Sequence, residues 1–226
     1  MKKIIIANWK CNPIKKNQAE KLFTSVKRGV ADIKEIELVI CPPFVYLSNI
    51  VPVSNIKLGA QNCFWKDQGA FTGEVSAKML KDLKCKYVIV GHSERRLHLK
   101  ETSEMINKKI KAALANDLIP ILCIDQIDQI KKELGGINGK EIKKIFIAYE
   151  PLFAIGTGNS CSIEQAQKMN QLIKNILGQD SIVLYGGSVN SKNAKDYIVK
   201  ANFSGLLIGN ASLDASEFIG IVKSIS

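Results

Sequence analysis

The sequence predicts an α/β protein in which eight parallel strands close into a (β/α)8 barrel surrounded by helices. Short β-branched runs recur eight times along the 226-residue chain, and segments with helical periodicity and polar faces separate them. The runs are continuously apolar, as expected of strands buried on both faces of a parallel sheet. A doubly wound open sheet is the alternative, but no glycine-rich dinucleotide motif follows the first run, and the count of eight favours the barrel.

The elements follow in order along the chain. We predict strands at Lys3–Asn8, Ile36–Cys41, Ile56–Gln61, Tyr87–Gly91, Ile119–Ile124, Ile145–Tyr149, Ile182–Tyr185 and Gly205–Ile208. Helical spacing predicts helices over Asn17–Gly29, Glu74–Leu83, Ser103–Ala115 and Ser162–Leu177, with proline and glycine turns between the elements. No linker or change in composition divides the chain, so we expect residues 1–226 to form a single barrel domain.

Composition and charge exclude several classes of protein. The chain has 46% hydrophobic and 23% charged residues with 16 Gly, 6 Pro and 6 Cys, which excludes disordered, collagen-like and disulfide-scaffold proteins. The net charge of +11 comes from lysines scattered in ones and twos, and aromatic residues make up only 7%. This pattern is typical of a solvated surface, so we expect no nucleic-acid partner.

The cysteines and the N-terminal segment indicate a cytoplasmic protein. Six widely spaced cysteines form no CxxC pair, and two histidines are poor material for a zinc site, so we expect buried reduced thiols and no metal. The apolar stretch before Asn8 is about four residues, shorter than a signal peptide requires. No run approaches the roughly 18 apolar residues of a membrane span, and we expect no membrane partner.

The residues that follow the predicted strands are the candidates for chemistry, because active sites of (β/α)8 barrels lie at the carboxyl ends of the strands. An apolar strand has no packing reason to end in Lys, His or Glu. The candidates are Asn8 and Lys10, Gln61 and Asn62, His92 to Glu94, Glu150, Gly186 to Ser188, and Gly209 and Asn210.

Glu150 and His92 are candidates for proton transfer and carbonyl polarisation. Glu150 directly follows a buried strand, and desolvation makes a carboxylate a better proton acceptor. His92 precedes a segment that can open a helix, whose N-terminus disfavours a charged imidazolium and leaves a neutral ring that can donate a hydrogen bond. Taken singly, a glutamate that caps the next helix and a histidine satisfied in the core are the alternatives.

The other candidates are suited to binding an anion. Lys10 supplies a positive charge and Asn8 an amide, both appropriate for an oxyanion. Residues 156–158, 186–188 and 209–210 are rich in glycine and expose backbone N–H groups. Loops after the seventh and eighth strands commonly bind phosphate in this architecture.

Together these motifs resemble the triosephosphate isomerase family, in order and across nearly the whole chain. The resemblance is carried by Asn8-Trp9-Lys10, Gln61-Asn62-Cys63, Gly69-Ala70-Phe71-Thr72-Gly73-Glu74, Gly91-His92-Ser93-Glu94-Arg95-Arg96, Ala148-Tyr149-Glu150-Pro151, Ala154-Ile155-Gly156-Thr157-Gly158 and Tyr185-Gly186-Gly187-Ser188-Val189-Asn190.

The resemblance implies a TIM barrel that interconverts dihydroxyacetone phosphate and glyceraldehyde 3-phosphate, in glycolysis and gluconeogenesis, without a metal or an organic cofactor. It implies that Glu150 carries the proton between two carbons and that neutral His92 polarises the carbonyl oxygens. Lys10 and Asn8 would stabilise the enediolate, and Glu94 would pair with Lys10. The implied phosphate donors are the backbone N–H groups of Gly156, Ser188, Gly209 and Asn210.

The resemblance also implies a homodimer and a closing lid. Gln61, Asn62 and Thr72 would lie at the dimer interface, with Thr72 supporting the partner's site, and Pro151–Gly158 would form the lid. Asn210 stands where a glycine is usual, and we expect it to accept a left-handed backbone there. Phe153 stands where tryptophan is common and lacks the indole N–H that would help to anchor the lid. The connection from Gln126 to Lys144 is short and predicts a trimmed fifth helix.

Two other functions compete with the isomerase. A phosphate-binding barrel could be an aldolase that forms a Schiff base through Lys10. A non-catalytic binding protein could use the net charge of +11 to hold an anionic partner.

Overall fold

A computed structural model describes residues 2–154 and 160–226, and in these residues eight parallel strands close into a barrel. Each strand pairs with the next one along the chain, and the last pairs with the first. The strands are β1 (Lys3–Asn8), β2 (Ile36–Cys41), β3 (Ile56–Ala60), β4 (Cys85–Val90), β5 (Ile119–Ile124), β6 (Phe146–Tyr149), β7 (Val183–Tyr185) and β8 (Gly205–Ile208). The predicted (β/α)8 barrel is confirmed, and the open-sheet alternative is wrong.

The predicted strand bounds are right for β1, β2, β5 and β8 and differ by one or two residues elsewhere. The largest difference is in β4, which was expected at Tyr87–Gly91 and extends over Cys85–Val90. Gly91 has a φ of +72°, which takes the chain out of the strand, so His92 leaves the barrel wall through a turn.

Helices surround the sheet wherever the chain is described. They are α1 (Lys16–Gly29), α2 (Ala77–Asp82), α3 (Ser93–Leu99), α4 (Ser103–Ala115), α5 (Asp128–Glu133), α6 (Gly139–Ile142), α7 (Ile163–Leu177), α8 (Ala194–Val199) and α9 (Ala215–Ser224). Short 3-10 helices cover Phe44–Asn49, Leu152–Ala154 and Asn210–Leu213. The helix predicted at Glu74–Leu83 is shorter because the Ser76 hydroxyl caps it, accepting a hydrogen bond from the backbone N–H of Met79.

The connection between β5 and β6 contains only two short helices, α5 and α6, as expected of a trimmed fifth helix. The carboxylate of Glu133, the last residue of α5, is completely buried. This short connection therefore still contributes a charged group to the interior of the protein.

The sheet separates two apolar layers, which explains the uninterrupted apolar runs. Ile4 and Ile6 of β1 pack inside the barrel, whereas Ile5 and Ala7 pack outward with the helices. This alternation is the period of two expected of a strand, with both faces buried. Because the barrel is filled by side chains, polar groups collect at its ends.

Five of the six cysteines are buried, and Cys11 is exposed, so the expectation of buried reduced thiols is confirmed for all but Cys11. Burial raises the pKa of the Cys63 and Cys85 thiols to about 12, which keeps them protonated and unreactive. Among the residues that the structure describes, no helix is long and apolar enough to cross a membrane.

Candidate active site

A cavity of about 220 Å³ opens at the carboxyl ends of the strands, where the sequence predicts the chemistry. It is lined by Asn8, Lys10, His92, Glu150, Gly186, Gly187, Ser188, Val189, Asn190, Leu207, Gly209, Asn210 and Ala211. At roughly 30 Å³ per water molecule, this space suits a small metabolite. The described parts of β1, β4, β6, β7 and β8 thus bring the predicted residues of five loops to one place.

Glu150 and His92 contact each other in the lining of this cavity. Glu150 is only 2% exposed, and its Oε1 atom lies 3.2 Å from Nε2 of His92. Its Oε2 atom accepts a hydrogen bond of 3.3 Å from the backbone N–H of Ser93. The alternative of a surface glutamate that caps a helix is wrong, because this carboxylate is buried at the end of β6.

The hydrogen bonds of His92 define the tautomer of a neutral ring. His92 is the N-cap of α3, and its Nδ1 atom accepts a hydrogen bond of 3.3 Å from the backbone N–H of Glu94. Nδ1 is therefore an acceptor, so the proton of the neutral ring lies on Nε2, which faces Glu150. The capping contact leaves one donor that points to the cavity.

Burial and the nearby carboxylate of Glu150 raise the pKa of the Cys123 thiol well above its usual value. Cys123 belongs to β5, beside β6, and its thiol remains neutral. Cys123 thus adds no second negative charge next to Glu150.

Lys10 reaches the same cavity from the end of β1. Its ammonium group lies 2.5 Å from Oε1 of Glu94, so the predicted pairing of these two residues is present. The backbone of Lys10 is left-handed, with a φ of 53°. The Asn8 side chain accepts a hydrogen bond of 3.0 Å from the N–H of Lys10, and the Gln61 amide donates one of 2.8 Å to its carbonyl.

The glycine-rich loops after β7 and β8 form the other wall. Ser188, Gly209 and Asn210 all line the cavity. A 3-10 helix begins at Asn210, separated by one residue from the end of β8, as expected of a phosphate-binding helix N-terminus. The expectation that Asn210 has a left-handed backbone is wrong, because Asn210 is not among the residues with positive φ. It enters the 3-10 helix instead. Gly156 lies outside the described residues.

Gly186 is required by the position of the candidate base. A Cβ atom at Gly186 would lie 2.9 Å from Cγ of Glu150 and 3.4 Å from the carbonyl oxygen of Tyr149. The sequence predicted a role for Gly186 through its backbone N–H group only. Its second role, leaving space for the side chain of Glu150, could not be predicted from the motif. Val189, Asn190 and Ala211 also line the cavity without having been predicted. Their position in the loops after β7 and β8 is the signal that could have found them.

The three residues predicted for the dimer interface have different environments. Thr72 is exposed in the loop between β3 and α2. Asn62 is buried and accepts a hydrogen bond of 2.8 Å from the ammonium group of Lys109. The Gln61 amide donates to the carbonyls of Lys10 and Cys41, each at 2.8 Å. Asn62 and Gln61 thus bond within the chain, and Thr72 is the one of the three that is exposed to solvent.

The start of the predicted lid lies over the loop after β7. The carbonyl of Ala154, at the end of a 3-10 helix, accepts a hydrogen bond of 2.6 Å from the Ser188 hydroxyl. The side chains of Leu152 and Phe153 are more than half exposed. The rest of the predicted lid, residues 155–158, lies outside the described residues.

These observations define a (β/α)8-barrel protein whose strand-end cavity joins the side chains of a buried glutamate, a histidine and a lysine. The family model for triosephosphate isomerase matches residues 3–225. The chain belongs to the triosephosphate isomerase family.

Named relatives match the chain over almost its full length. The triosephosphate isomerase of Dictyoglomus turgidum is 43% identical over 253 residues, covering 99% of each chain. That of Dehalococcoides mccartyi is 43% identical over 249 residues, covering 99% of this chain and 96% of the relative. That of Lactobacillus delbrueckii is 39% identical over 245 residues and 97% of each chain. The family resemblance seen in the motifs is confirmed.

Proposed function

We propose that this protein interconverts dihydroxyacetone phosphate and glyceraldehyde 3-phosphate through an enediolate. The observation that carries the proposal is the contact of 3.2 Å between Oε1 of Glu150 and Nε2 of His92 in a cavity that Lys10 also lines. Proton transfer between two adjacent carbons requires a base that reaches both carbons and a donor that reaches both oxygens. Family membership and the named relatives support the same reaction.

Glu150 is the base in this proposal. Its carboxylate removes a proton from the carbon next to the carbonyl group, and the electron pair of the broken C–H bond forms the enediolate. The carboxylic acid then returns the proton to the neighbouring carbon, while the proton of the substrate's hydroxyl group passes to the former carbonyl oxygen, so that the carbonyl group forms at the other position. Because Glu150 is 2% exposed, water competes poorly for this proton.

His92 and Lys10 stabilise the negative charge that develops on the oxygens. The Nε2–H group of His92 donates hydrogen bonds to these oxygens as a neutral imidazole. The active-site histidine of triosephosphate isomerases is the known example of this role. Lys10 contributes a full positive charge, and Asn8 contributes an amide at the same rim. Glu94 holds the Lys10 ammonium group at 2.5 Å and so limits where it can point.

The phosphate group of the substrate binds between the loops after β7 and β8. The backbone N–H groups of Ser188, Gly209 and Asn210 are the proposed donors, and the N-terminus of the 3-10 helix at Asn210 adds a favourable dipole. Gly156 is a further proposed donor. No metal or organic cofactor takes part in this proposal.

Replacement Glu150→Gln tests the assignment of the base. We expect kcat for glyceraldehyde 3-phosphate, measured in a coupled assay, to fall by at least about 10²-fold to 10⁴-fold, the usual contribution of a general base. The circular dichroism spectrum should not change, because glutamine has nearly the same volume as glutamate. A folded variant with near-normal activity would contradict the assignment.

The aldolase alternative is disfavoured by the environment of Lys10. A Schiff base requires a neutral amine, whereas the Lys10 nitrogen lies 2.5 Å from the carboxylate of Glu94 as an ion pair. Borohydride added with a keto phosphate should therefore leave Lys10 unmodified by mass spectrometry. Covalent trapping at Lys10 would favour the aldolase.

We also propose that the protein is a homodimer in which Thr72 completes the partner's site. The loop between β3 and α2 is exposed at residues 66–74, and Phe71 next to Thr72 is 42% exposed despite its large apolar ring. An exposed aromatic residue on a loop is typical of a contact surface. The segment leading into this loop is anchored at the candidate site, because the Gln61 amide donates a hydrogen bond to the carbonyl of Lys10.

A further inference from the structure

The side chain of Arg96 joins the ends of two strands beside the candidate site. Arg96 lies in α3, and its Nε atom donates a hydrogen bond of 2.6 Å to the carbonyl of Gly91. Its Nη2 atom donates one of 2.7 Å to the carbonyl of Cys123 in β5. Gly91 directly precedes His92. The guanidinium group therefore fixes the turn that presents His92 relative to the wall that carries Glu150.

Glu133, at the end of the short helix α5, fixes this guanidinium group in turn. Its carboxylate accepts hydrogen bonds from both terminal nitrogens of Arg96 and one of 3.0 Å from the Ser103 hydroxyl. The carboxylate is 0% exposed, and the Arg96 side chain is 18% exposed. The fork geometry of a guanidinium–carboxylate pair defines an orientation as well as a contact.

Space around the turn is matched to Arg96. A Cβ atom at position 91 would lie 2.7 Å from Nη2 of Arg96, and Gly91 also has a φ of +72°. A side chain at position 91 would therefore clash with the guanidinium group where it lies, and the backbone there also disfavours one. A displacement of Arg96 would break its hydrogen bond to the carbonyl of Gly91, the residue before His92.

We propose that Arg96 and Glu133 form a positioning pair that sets the location of the His92 imidazole relative to Glu150. Neither residue lines the cavity, so the pair acts through the Gly91 and Cys123 carbonyls and not through the substrate. The desolvation of a buried ion pair offsets much of the attraction between its charges. Such a pair therefore adds little to the stability of the fold, but it fixes the orientation of the two side chains. The proposal rests on the proposed function, since His92 is the donor that it positions.

Replacement Glu133→Gln in the full-length protein tests the pair. We expect kcat to fall about tenfold or more while KM stays within about twofold, because a small displacement of His92 weakens the transition state more than substrate binding. The matched control is Asp128→Asn in the same helix, where the carboxylate pairs with Lys132 at the surface. The control should leave kcat unchanged.

A second readout does not depend on catalysis. The chain has only two histidines, His92 and His98, so the imidazole signals in an NMR spectrum can be assigned with a His98→Asn variant. Glu133→Gln should shift the His92 signals, and Asp128→Asn should leave them in place. An inactive wild type would contradict the proposed function, while the His92 signals would still test the positioning pair.

If Glu133→Gln does not fold, Ser103→Ala serves instead, because it removes a single hydrogen bond to the Glu133 carboxylate. We expect it to lower kcat about threefold, the effect of a weakened hydrogen bond, and to shift the His92 signals in the same direction. Variants that lose thermal stability but keep wild-type kcat and unshifted His92 signals would overturn the proposal, because the pair would then act on folding only.

Discussion

Individual residues at the site are held in place by contacts that cannot be predicted from the residues next to them in the sequence. The position of Glu150 depends on the absence of a side chain at Gly186, where a Cβ atom would lie 2.9 Å from Cγ of the base. The tautomer of His92 depends on one backbone N–H group of α3. The chemistry thus depends on small features of the backbone around each side chain.

Replacement Gly186→Ala should lower kcat by about tenfold to 10²-fold, because the added methyl group displaces the base and a shift of about 1 Å costs up to two orders of magnitude. KM for glyceraldehyde 3-phosphate should change much less than kcat. Steady-state kinetics in the coupled assay measure both quantities.

Gly139→Ala is the control for this prediction. A Cβ atom there meets no atom within 4 Å, so the variant should keep wild-type kinetics. Equal kinetic parameters for Gly186→Ala and the wild type would show that Glu150 tolerates the displacement.

The sequence predicted Glu150, His92, Lys10 and Asn8 because each lies at the carboxyl end of an apolar strand or within two residues of it, where packing cannot explain a polar residue. It did not single out Glu133, which lies 37 positions from Arg96 and follows no strand. A charged residue in a short helix is usually solvated, so only the three-dimensional structure reveals that this one is buried. Contacts between segments that are distant in sequence are the part of the site that cannot be predicted from a single sequence.

At the scale of elements, the two ends of the strands differ in their chemistry. The carboxyl ends hold the candidate site, whereas the amino ends of β2 and β4 hold Glu37, Lys86 and Tyr87. Glu37 accepts a hydrogen bond of 2.8 Å from Lys86 and another from the Tyr87 hydroxyl. Burial raises the pKa of Glu37, but these two hydrogen bonds and the positive charges of Lys86 and Lys57 together more than offset it, so the net pKa is lowered.

The lowered pKa of Glu37 predicts a pH-dependent contribution to stability. The ionised carboxylate stabilises the folded state fully above its unfolded pKa of 4.5, and this stabilisation is lost as the pH falls through the lower folded pKa. Glu37→Gln should therefore reduce the free energy of unfolding by about 1–2 kcal/mol at pH 7. The difference from the wild type should shrink below pH 4.5.

Urea unfolding of both proteins at pH 7 and at lower pH measures this difference. Glu104→Gln is the control, because the Glu104 side chain is 78% exposed and pairs with Lys108 in solvent. A difference for Glu37→Gln that does not depend on pH would exclude the ionised carboxylate as its cause.

Strand and helix bounds were predictable to within a few residues where a local signal ends the element. The apolar run of β1 ends at Asn8 as predicted, because a polar residue at the rim ends it. The helix predicted at Glu74–Leu83 is shorter because the side chain of Ser76, and not the periodicity, sets its start. Periodicity locates an element, and capping or a left-handed residue such as Gly91 sets its limits.

At the scale of the whole molecule, the barrel topology was predictable from the eight buried strands. Few arrangements of eight buried strands give every backbone N–H and carbonyl group a hydrogen-bond partner. A closed sheet has no edge strand, and each strand pairs on both sides. The association of chains was harder to predict from the sequence, because it depends on the shape of the surface and not on the pattern of strands. The Thr72 loop was assigned to an interface by resemblance alone.

The proposed homodimer predicts a molar mass in solution of about 50 kDa, twice the chain mass of 24.9 kDa. Gel filtration with light scattering measures it directly. Phe71→Lys should shift the mass towards 24.9 kDa, because the loop then carries a charge in place of its exposed ring.

Leu172→Lys is the control for the association test. Leu172 is 41% exposed on α7, close to the 42% of Phe71, but lies outside the proposed contact loop. It should leave the mass unchanged. A wild-type mass of one chain would contradict the dimer, and a mass of four chains would indicate a tetramer.

The left-handed backbone of Lys10 lowers the free energy of unfolding of the protein. A non-glycine residue at a φ of 53° costs about 1–2 kcal/mol, and hydrogen bonds with Asn8 and Gln61 hold it there. Glycine at position 10 would relieve this cost and also remove the ammonium group. Stability alone would therefore favour glycine at position 10, whereas the role proposed for the ammonium group favours lysine.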